Sequence, residues 1–115
     1  MHPPDVLDVP EITPTDLKRR LDNGDGLLLV DVREHFERRI ADLPEHGQLR
    51  IPTGEFFQRV AEVARDRTVV LYCRSGSRSA WAARVLLDRG YSDVLNLRGG
   101  VLGWRQEVDP TLRAY

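Results

Sequence analysis

The stretch Thr68-Val69-Val70-Leu71-Tyr72-Cys73, running through Arg74-Ser75-Gly76-Ser77-Arg78 into Ser79–Arg89, decides the fold. Thr68–Cys73 is apolar at successive positions and rich in β-branched and aromatic types, as a strand covered on both faces should be. Ser79–Arg89 is apolar nearly all round and stops at Gly90, which predicts a buried helix. Strand, short turn and helix in that order are one half of a parallel βαβ unit.

The pattern repeats on either side. Upstream, Thr13-Pro14-Thr15-Asp16 is a helix start, with Thr13 as cap and Pro14 at the first helical position. Leu17 and Leu21 then fall one turn apart, and Asn23-Gly24-Asp25-Gly26 ends the helix. Leu27–Val32 (LLLVDV) reads as a second buried strand and Gln48–Ile51 as a weaker one ending at Pro52. Gly54–Ala64 has helical spacing, with Phe57, Val60, Ala61 and Ala64 on one face. Downstream, Asp93–Leu97 is a last strand and Val101–Glu107 a last short helix after Gly99-Gly100. The alternation predicts an α/β fold, a mostly parallel sheet between two layers of helices. All strand carboxyl ends then share one rim, where ligands bind in such sheets, and Cys73 lies on it.

At 115 residues the chain has the length of one domain, read as a single domain over 1–115 with a partly ordered, proline-containing lead-in over 1–10 and a C-terminal tail over 105–115. A 41% apolar fraction fits a globular protein. The longest apolar run, Val69–Cys73, is far short of the roughly 20 residues a membrane helix needs. Met1–Asp5 lacks the parts of a secretory signal, so a cytoplasmic, membrane-free protein is expected. Seventeen Lys and Arg against 18 Asp and Glu leave no cationic surplus for nucleic acid. With a single cysteine and scattered His2, His35 and His46, neither an internal disulfide nor a closed zinc site is expected.

The turn after Cys73 carries the chemistry. Backbone N–H groups at a helix start lack carbonyl partners, and the macrodipole adds about half a positive charge there. Gly76 permits backbone conformations closed to other residues, Ser75, Ser77 and Ser79 are small, and Arg74 and Arg78 add fixed charge. The result is an anion cradle with a sulfur at its base, a setting that favours a thiolate or a persulfide over the neutral thiol. A lone strand-end cysteine is ordinarily core packing. The flanking arginines, the glycine and the small hydroxyl residues make this one a candidate nucleophile instead.

These residues resemble the active-site loop of the rhodanese-like sulfurtransferases. Asp31-Val32-Arg33-Glu34, Ile51-Pro52 and Asn96-Leu97-Arg98-Gly99-Gly100 followed by Trp104 agree with that family in the same order. The resemblance implies a five-stranded parallel sheet between helical layers. It also implies a catalytic Cys73 that takes a sulfane sulfur from a donor such as thiosulfate and passes it to a thiol or cyanide. Arg74, Ser75, Gly76, Ser77, Arg78 and Ser79 would bind the substrate, with no cofactor and no metal. Trp104–Pro110 and Tyr115 resemble the tail of rhodanese domains attached to ubiquitin-like-protein activating enzymes. That likeness suggests a cysteine desulfurase or a ubiquitin-like sulfur carrier as protein partner. Asp42-Leu43-Pro44-Glu45-His46-Gly47 departs from the usual His-Ile-Pro-Gly-Ala, and its acids are expected to make that rim less cationic.

Two rival readings compete. Phosphatases and arsenate reductases use Cys-x₅-Arg, whereas Arg78 gives Cys-x₄-Arg, a narrower bowl better suited to one sulfur atom. A non-enzymatic or regulatory binding module would typically lack the nucleophile that Cys73 supplies. Arg74 is expected to steer an anionic donor, and Arg78 to serve either the loop's internal order or the substrate. Asp31 and Arg33 are read as structural, Trp81 and Trp104 as core or rim packing, and Arg38-Arg39 as solvated surface.

Overall fold

A computed structural model describes residues 8–115. Most of the Met1–Pro10 lead-in therefore lies outside the described residues. In chain order the elements are β1 (Glu11–Ile12), α1 (Pro14–Asp22), β2 (Leu28–Asp31), β3 (Leu49–Arg50), α2 (Thr53–Phe56), β4 (Val69–Tyr72), α3 (Ser77–Asp88), β5 (Val94–Leu97) and α4 (Gly100–Glu107). Two 3₁₀ segments, His35–Arg39 and Phe57–Glu62, complete the list. The five strands pair in parallel in the order β1-β5-β4-β2-β3.

Side-chain alternation along the strands builds two cores. Val69, Leu71 and Cys73 point to the face covered by α3 and the Phe57–Glu62 segment, with Phe56, Val60, Ala82 and Leu86. Val70 and Tyr72 point to the opposite face, against Leu17 of α1 and Val101 and Trp104 of α4. Because β4 is buried on both sides, its sequence shows no polar alternation. Thr13 caps α1 by accepting the Asp16 N–H at 3.1 Å, and Pro14 occupies the first turn, as predicted.

Four elements differ from expectation. The edge strand β1 was not predicted, since two residues with one apolar side chain carry no periodicity. Its ladder includes the Asn96 N–H to the Pro10 carbonyl (2.8 Å) and the Arg98 N–H to the Ile12 carbonyl (2.9 Å), so the end of the lead-in is hydrogen-bonded to the sheet at Pro10. The Gly54–Ala64 helix is one α-turn followed by a 3₁₀ segment, and its inward face is Phe56, Val60 and Val63, with Phe57 and Ala61 exposed. The buried Tyr91 hydroxyl donates to the Val60 and Val63 carbonyls at 3.1 and 2.6 Å, anchoring the end of that segment at Val63, where the backbone turns extended. The 3₁₀ segment His35–Arg39 had no sequence signal beyond Glu34 and Glu37. The Glu37 side chain accepts the Glu34 N–H at 2.9 Å, closing the turn from behind. Finally, α3 begins at Ser77, not Ser79, leaving only Cys73–Gly76 between strand and helix.

Candidate active site

The short connection works because Gly76 adopts φ +108°, outside the range of an ordinary side chain, and turns the chain straight into α3. The N-cap residue, Gly76, has no side chain with which to cap that helix. The Cys73 sulfur does so instead: Sγ accepts the Gly76 N–H at 3.1 Å, the Ser79 N–H at 3.4 Å and the Ser79 hydroxyl at 3.3 Å. An N-cap oxygen normally satisfies the N–H of the third helical residue, and here a sulfur fills that role. Cys73 is only 1% exposed and borders the apolar core, yet its sulfur is met by three donors at the positive end of a helix.

A second helix fixes the other side of the loop. The Val101 and Leu102 N–H groups at the start of α4 donate to the Cys73 and Arg74 carbonyls at 2.9 and 3.0 Å. In a trans peptide C=O and N–H point in opposite directions, so the Arg74 and Ser75 N–H groups face away from α4. This contact requires Gly100: a Cβ there would lie 2.3 Å from the Cys73 carbonyl oxygen and 2.7 Å from the Arg74 carbonyl. The Gly99-Gly100 pair is thus a close-approach device, consistent with its reading as a helix entry.

The arginines of the loop are not equivalent. Arg78 donates through both terminal nitrogens to Glu37, at 2.8 and 3.0 Å. Its charge is engaged in ordering the loop against the 3₁₀ segment after β2. Burial works against ionisation of Glu37, but donors from Arg78, the Glu34 N–H and the Tyr115 hydroxyl outweigh it and hold the carboxyl down at about 2. The Glu37 hydrogen bonds in turn raise Arg78 above its ordinary value. Arg74 is exposed, its guanidinium 5.4 Å above the Tyr115 ring and its Nε donating to the Tyr115 carbonyl oxygen.

Tyr115 joins this rim to a buried charge network. Its hydroxyl accepts from Arg33 at 2.9 Å and donates to Glu37 at 3.0 Å. Arg33 is 1% exposed and all five of its N–H donors are matched: Asp31 (2.9 and 3.1 Å), Asp42 (2.9 Å), the Ala41 carbonyl (2.8 Å) and Tyr115. Arg50 bridges Asp31 and Asp42 at 2.6 and 2.8 Å, and the Tyr72 hydroxyl donates to Asp42 at 2.7 Å. Asp31 and Arg33 therefore hold loops together, as read. Of the two acids expected to make this rim less cationic, Asp42 has its carboxylate bound internally by Arg33, Arg50 and Tyr72, while Glu45 is exposed.

The structure brings Cys73, Gly76 and Ser79 together directly, with Arg78 tied back to Glu37. Ser75 and Ser77 are exposed on the open side. Trp104 is core, and Trp81 packs edge-on to Phe56 at 6.2 Å. Sequence reading gave no role to Glu37 or to Asn96, whose side chain accepts the Ser79 hydroxyl at 2.6 Å and donates to the Gly76 carbonyl at 3.1 Å. For Asn96 the available signals were its place in the Asn96–Gly100 stretch that carries the resemblance and its polarity inside the otherwise apolar strand Val94-Leu95-Asn96-Leu97.

Among the described residues no helix is long and apolar enough to cross a membrane. A family model described as a rhodanese-like domain matches residues 13–107. A sulfurtransferase of Allochromatium vinosum is 42% identical over 102 residues, covering 89% of this chain and 94% of that protein. The probable adenylyltransferase/sulfurtransferase MoeZ of Mycobacterium tuberculosis is 37% identical over 90% of this chain, which corresponds to 26% of MoeZ. A solved rhodanese-related protein of Thermoplasma volcanium superposes with a TM-score of 0.77 at 26% identity, over 87% of this chain and 94% of that one. With its five-stranded parallel sheet and helix-capped cysteine, this chain belongs to the rhodanese-like family.

Proposed function

We propose that this protein is a sulfurtransferase carrying sulfane sulfur as a persulfide on Cys73. The observation that carries the reading is the sulfur itself, met by the Gly76 and Ser79 N–H groups and the Ser79 hydroxyl at the N-terminus of α3. Three donors and a helix dipole stabilise negative charge on sulfur without a metal or a general base.

The Cys73 thiolate attacks the outer sulfur of thiosulfate. A Cys–S–S bond forms as the S–S bond of the donor breaks, and sulfite leaves with the electron pair. The terminal sulfur then carries one negative charge among the N–H groups of residues 75–79. An acceptor such as cyanide or a thiolate attacks that sulfur, and the pair of the broken bond returns to Cys73 as thiolate. Neither half-reaction needs an external oxidant. Arg74, the exposed cation of the loop, draws anionic donors to the mouth.

The names of two relatives bear on the partners. MoeZ joins an adenylyltransferase to a sulfurtransferase, and the Bacillus subtilis protein YrkF, 34% identical to this chain, is described as a putative sulfur carrier. A protein persulfide as donor and a small carrier as acceptor fit the same cradle as thiosulfate and cyanide.

Mass spectrometry after thiosulfate treatment tests the proposal. One added sulfur, about 32 Da, is expected on Cys73 and is removed by cyanide as thiocyanate. The Cys73→Ser variant should take up none. An unchanged mass on protein whose thiol was free beforehand overturns the reading.

A further inference from the structure

Asn96 sits on β5, 2% exposed, directly beneath the Cys73 loop. Its amide is used at both ends. The nitrogen donates to the Gly76 carbonyl at 3.1 Å and the oxygen accepts the Ser79 hydroxyl at 2.6 Å. These partners fix the amide's orientation, since the reverse would set two oxygens against each other at Gly76. Both partners are the loop positions that touch the sulfur, through the Gly76 N–H, the Ser79 N–H and the Ser79 hydroxyl.

We propose that Asn96 is a positioning residue for the sulfur-carrying loop, holding the Gly76–Ser77 peptide and the Ser79 hydroxyl in the arrangement that receives negative charge on sulfur. The inference rests on the sulfurtransferase reading of Cys73. The Gly76 carbonyl accepts both the Ala80 N–H of α3 at 3.0 Å and the Asn96 amide at 3.1 Å, and with it held on that side the Ser77 N–H of the same peptide must point the other way, to the open side where Ser77 is exposed. That is where the outer sulfur of a persulfide would extend.

The Ser79 hydroxyl has a single hydrogen and three acceptors within reach: Asn96 Oδ1 at 2.6 Å, and Cys73 Sγ and the Gly76 carbonyl oxygen each at 3.3 Å. While Cys73 is a neutral thiol, the hydrogen stays with the nearer amide oxygen. When the sulfur becomes anionic, it competes for that hydrogen, and rotation about the Ser79 Cβ–Oγ bond delivers it. A neutral amide is the suitable rival acceptor because it releases the proton. A carboxylate of the same shape would keep it, place a second negative charge near the sulfur and lose the donor to Gly76.

The test follows the rate of Cys73 alkylation by iodoacetamide against pH in the wild type, Asn96→Asp, Asn96→Ala and Ser79→Ala. Folding is checked by circular dichroism and urea midpoint. In Asn96→Asp the alkylation profile should move up by about one pH unit, an approximately tenfold slower reaction on its acid limb. Asn96→Ala and Ser79→Ala should move it the same way by less. In the Asn96→Ala/Ser79→Ala double variant the effects should be less than additive, since the two act through one hydrogen. Folded Asn96 variants with the wild-type profile overturn the proposal. If both fail to fold, an unchanged profile in Ser79→Ala overturns it instead. Alkylation needs no sulfur donor, so failure of the wild type to form a persulfide would sink the sulfurtransferase reading while leaving this measurement separate.

Discussion

Replacing Glu37 by Gln removes the counter-charge of Arg78 while keeping the shape of the side chain. Glu37 is 5% exposed and receives four hydrogen bonds, two from Arg78 and one each from the Tyr115 hydroxyl and the Glu34 N–H. Against the burial that opposes its charge, these donors bring the carboxyl from 4.5 to about 2. At 1.36 kcal/mol per pH unit that gap corresponds to about 3 kcal/mol of folding stability. Because the folded value is the lower one, the contribution is fully present above pH 4.5 and disappears as the pH falls from there toward 2. Arg78 is about one-third exposed, so water replaces part of what it loses, and a net loss of about 2 kcal/mol is expected for Glu37→Gln at pH 7. With an m-value of about 1.5 kcal/mol/M, the urea midpoint should fall by roughly 1–1.5 M. The fluorescence of buried Trp104 reports the transition. The gap between wild type and variant should narrow between pH 5 and pH 3. A variant with the wild-type midpoint at pH 7, or a gap of constant size across that range, would refute the reasoning.

Three further substitutions probe the frame of the loop. Gly100→Ala drives a Cβ into the Cys73 and Arg74 carbonyls at a positive-φ position, so a loss of about 3 kcal/mol or more is expected in denaturant titration. Retention of wild-type stability would mean that α4 does not sit against the loop. Arg33→Met strips buried Asp31 of two side-chain donors and part-buried Asp42 of one, and thermal melting should show a loss of about 3–5 kcal/mol. A near-neutral result would contradict the network. Arg74→Ala should leave stability within about 0.5 kcal/mol but raise KM for thiosulfate several-fold, with a weaker dependence on salt. An unchanged KM would remove Arg74 from donor capture.

The strongest parts of the fold were legible because burial on both faces leaves a signature in composition. Val69–Tyr72 and Leu28–Val30 had to be apolar throughout, and Gly26 and Gly76 lie close beyond their ends. The missed parts are held by interactions with no local pattern. Glu11–Ile12 is a strand only because β5 lies beside it, and the 3₁₀ turn at His35–Arg39 depends on a carboxylate reaching back to its own start. The apolar stripe of residues 54–64 was misplaced because Phe57 and Ala61, exposed in the structure, look as hydrophobic as buried Phe56 and Val63. In the site, Cys73 and its loop announced themselves by proximity in sequence. Glu37 and Tyr115 did not, since each meets the loop across 41 residues of chain, a distance over which spacing says nothing.

The choice between sulfur and phosphate chemistry turns on where charge is placed as much as on loop length. A phosphate enzyme presents a guanidinium fork to its dianionic ligand, and bidentate pairing makes that contact strong. In this loop the fork of Arg78 already grips Glu37, with both terminal nitrogens committed at 2.8 and 3.0 Å. Receiving phosphate there would mean breaking a buried carboxylate's pairing, which is more costly than an exposed arginine could return. What remains around the sulfur is a set of N–H dipoles and one hydroxyl. Such a set suits a single, diffuse negative charge on the terminal sulfur of the proposed persulfide better than a dianionic group held covalently on Cys73. On that proposal the acid on the far side of Arg78 bears on what the cysteine carries: by withdrawing one cation from the loop, Glu37 favours a monoanionic persulfide over a bound phosphoryl group, while a dianionic donor such as thiosulfate is met at the mouth by Arg74.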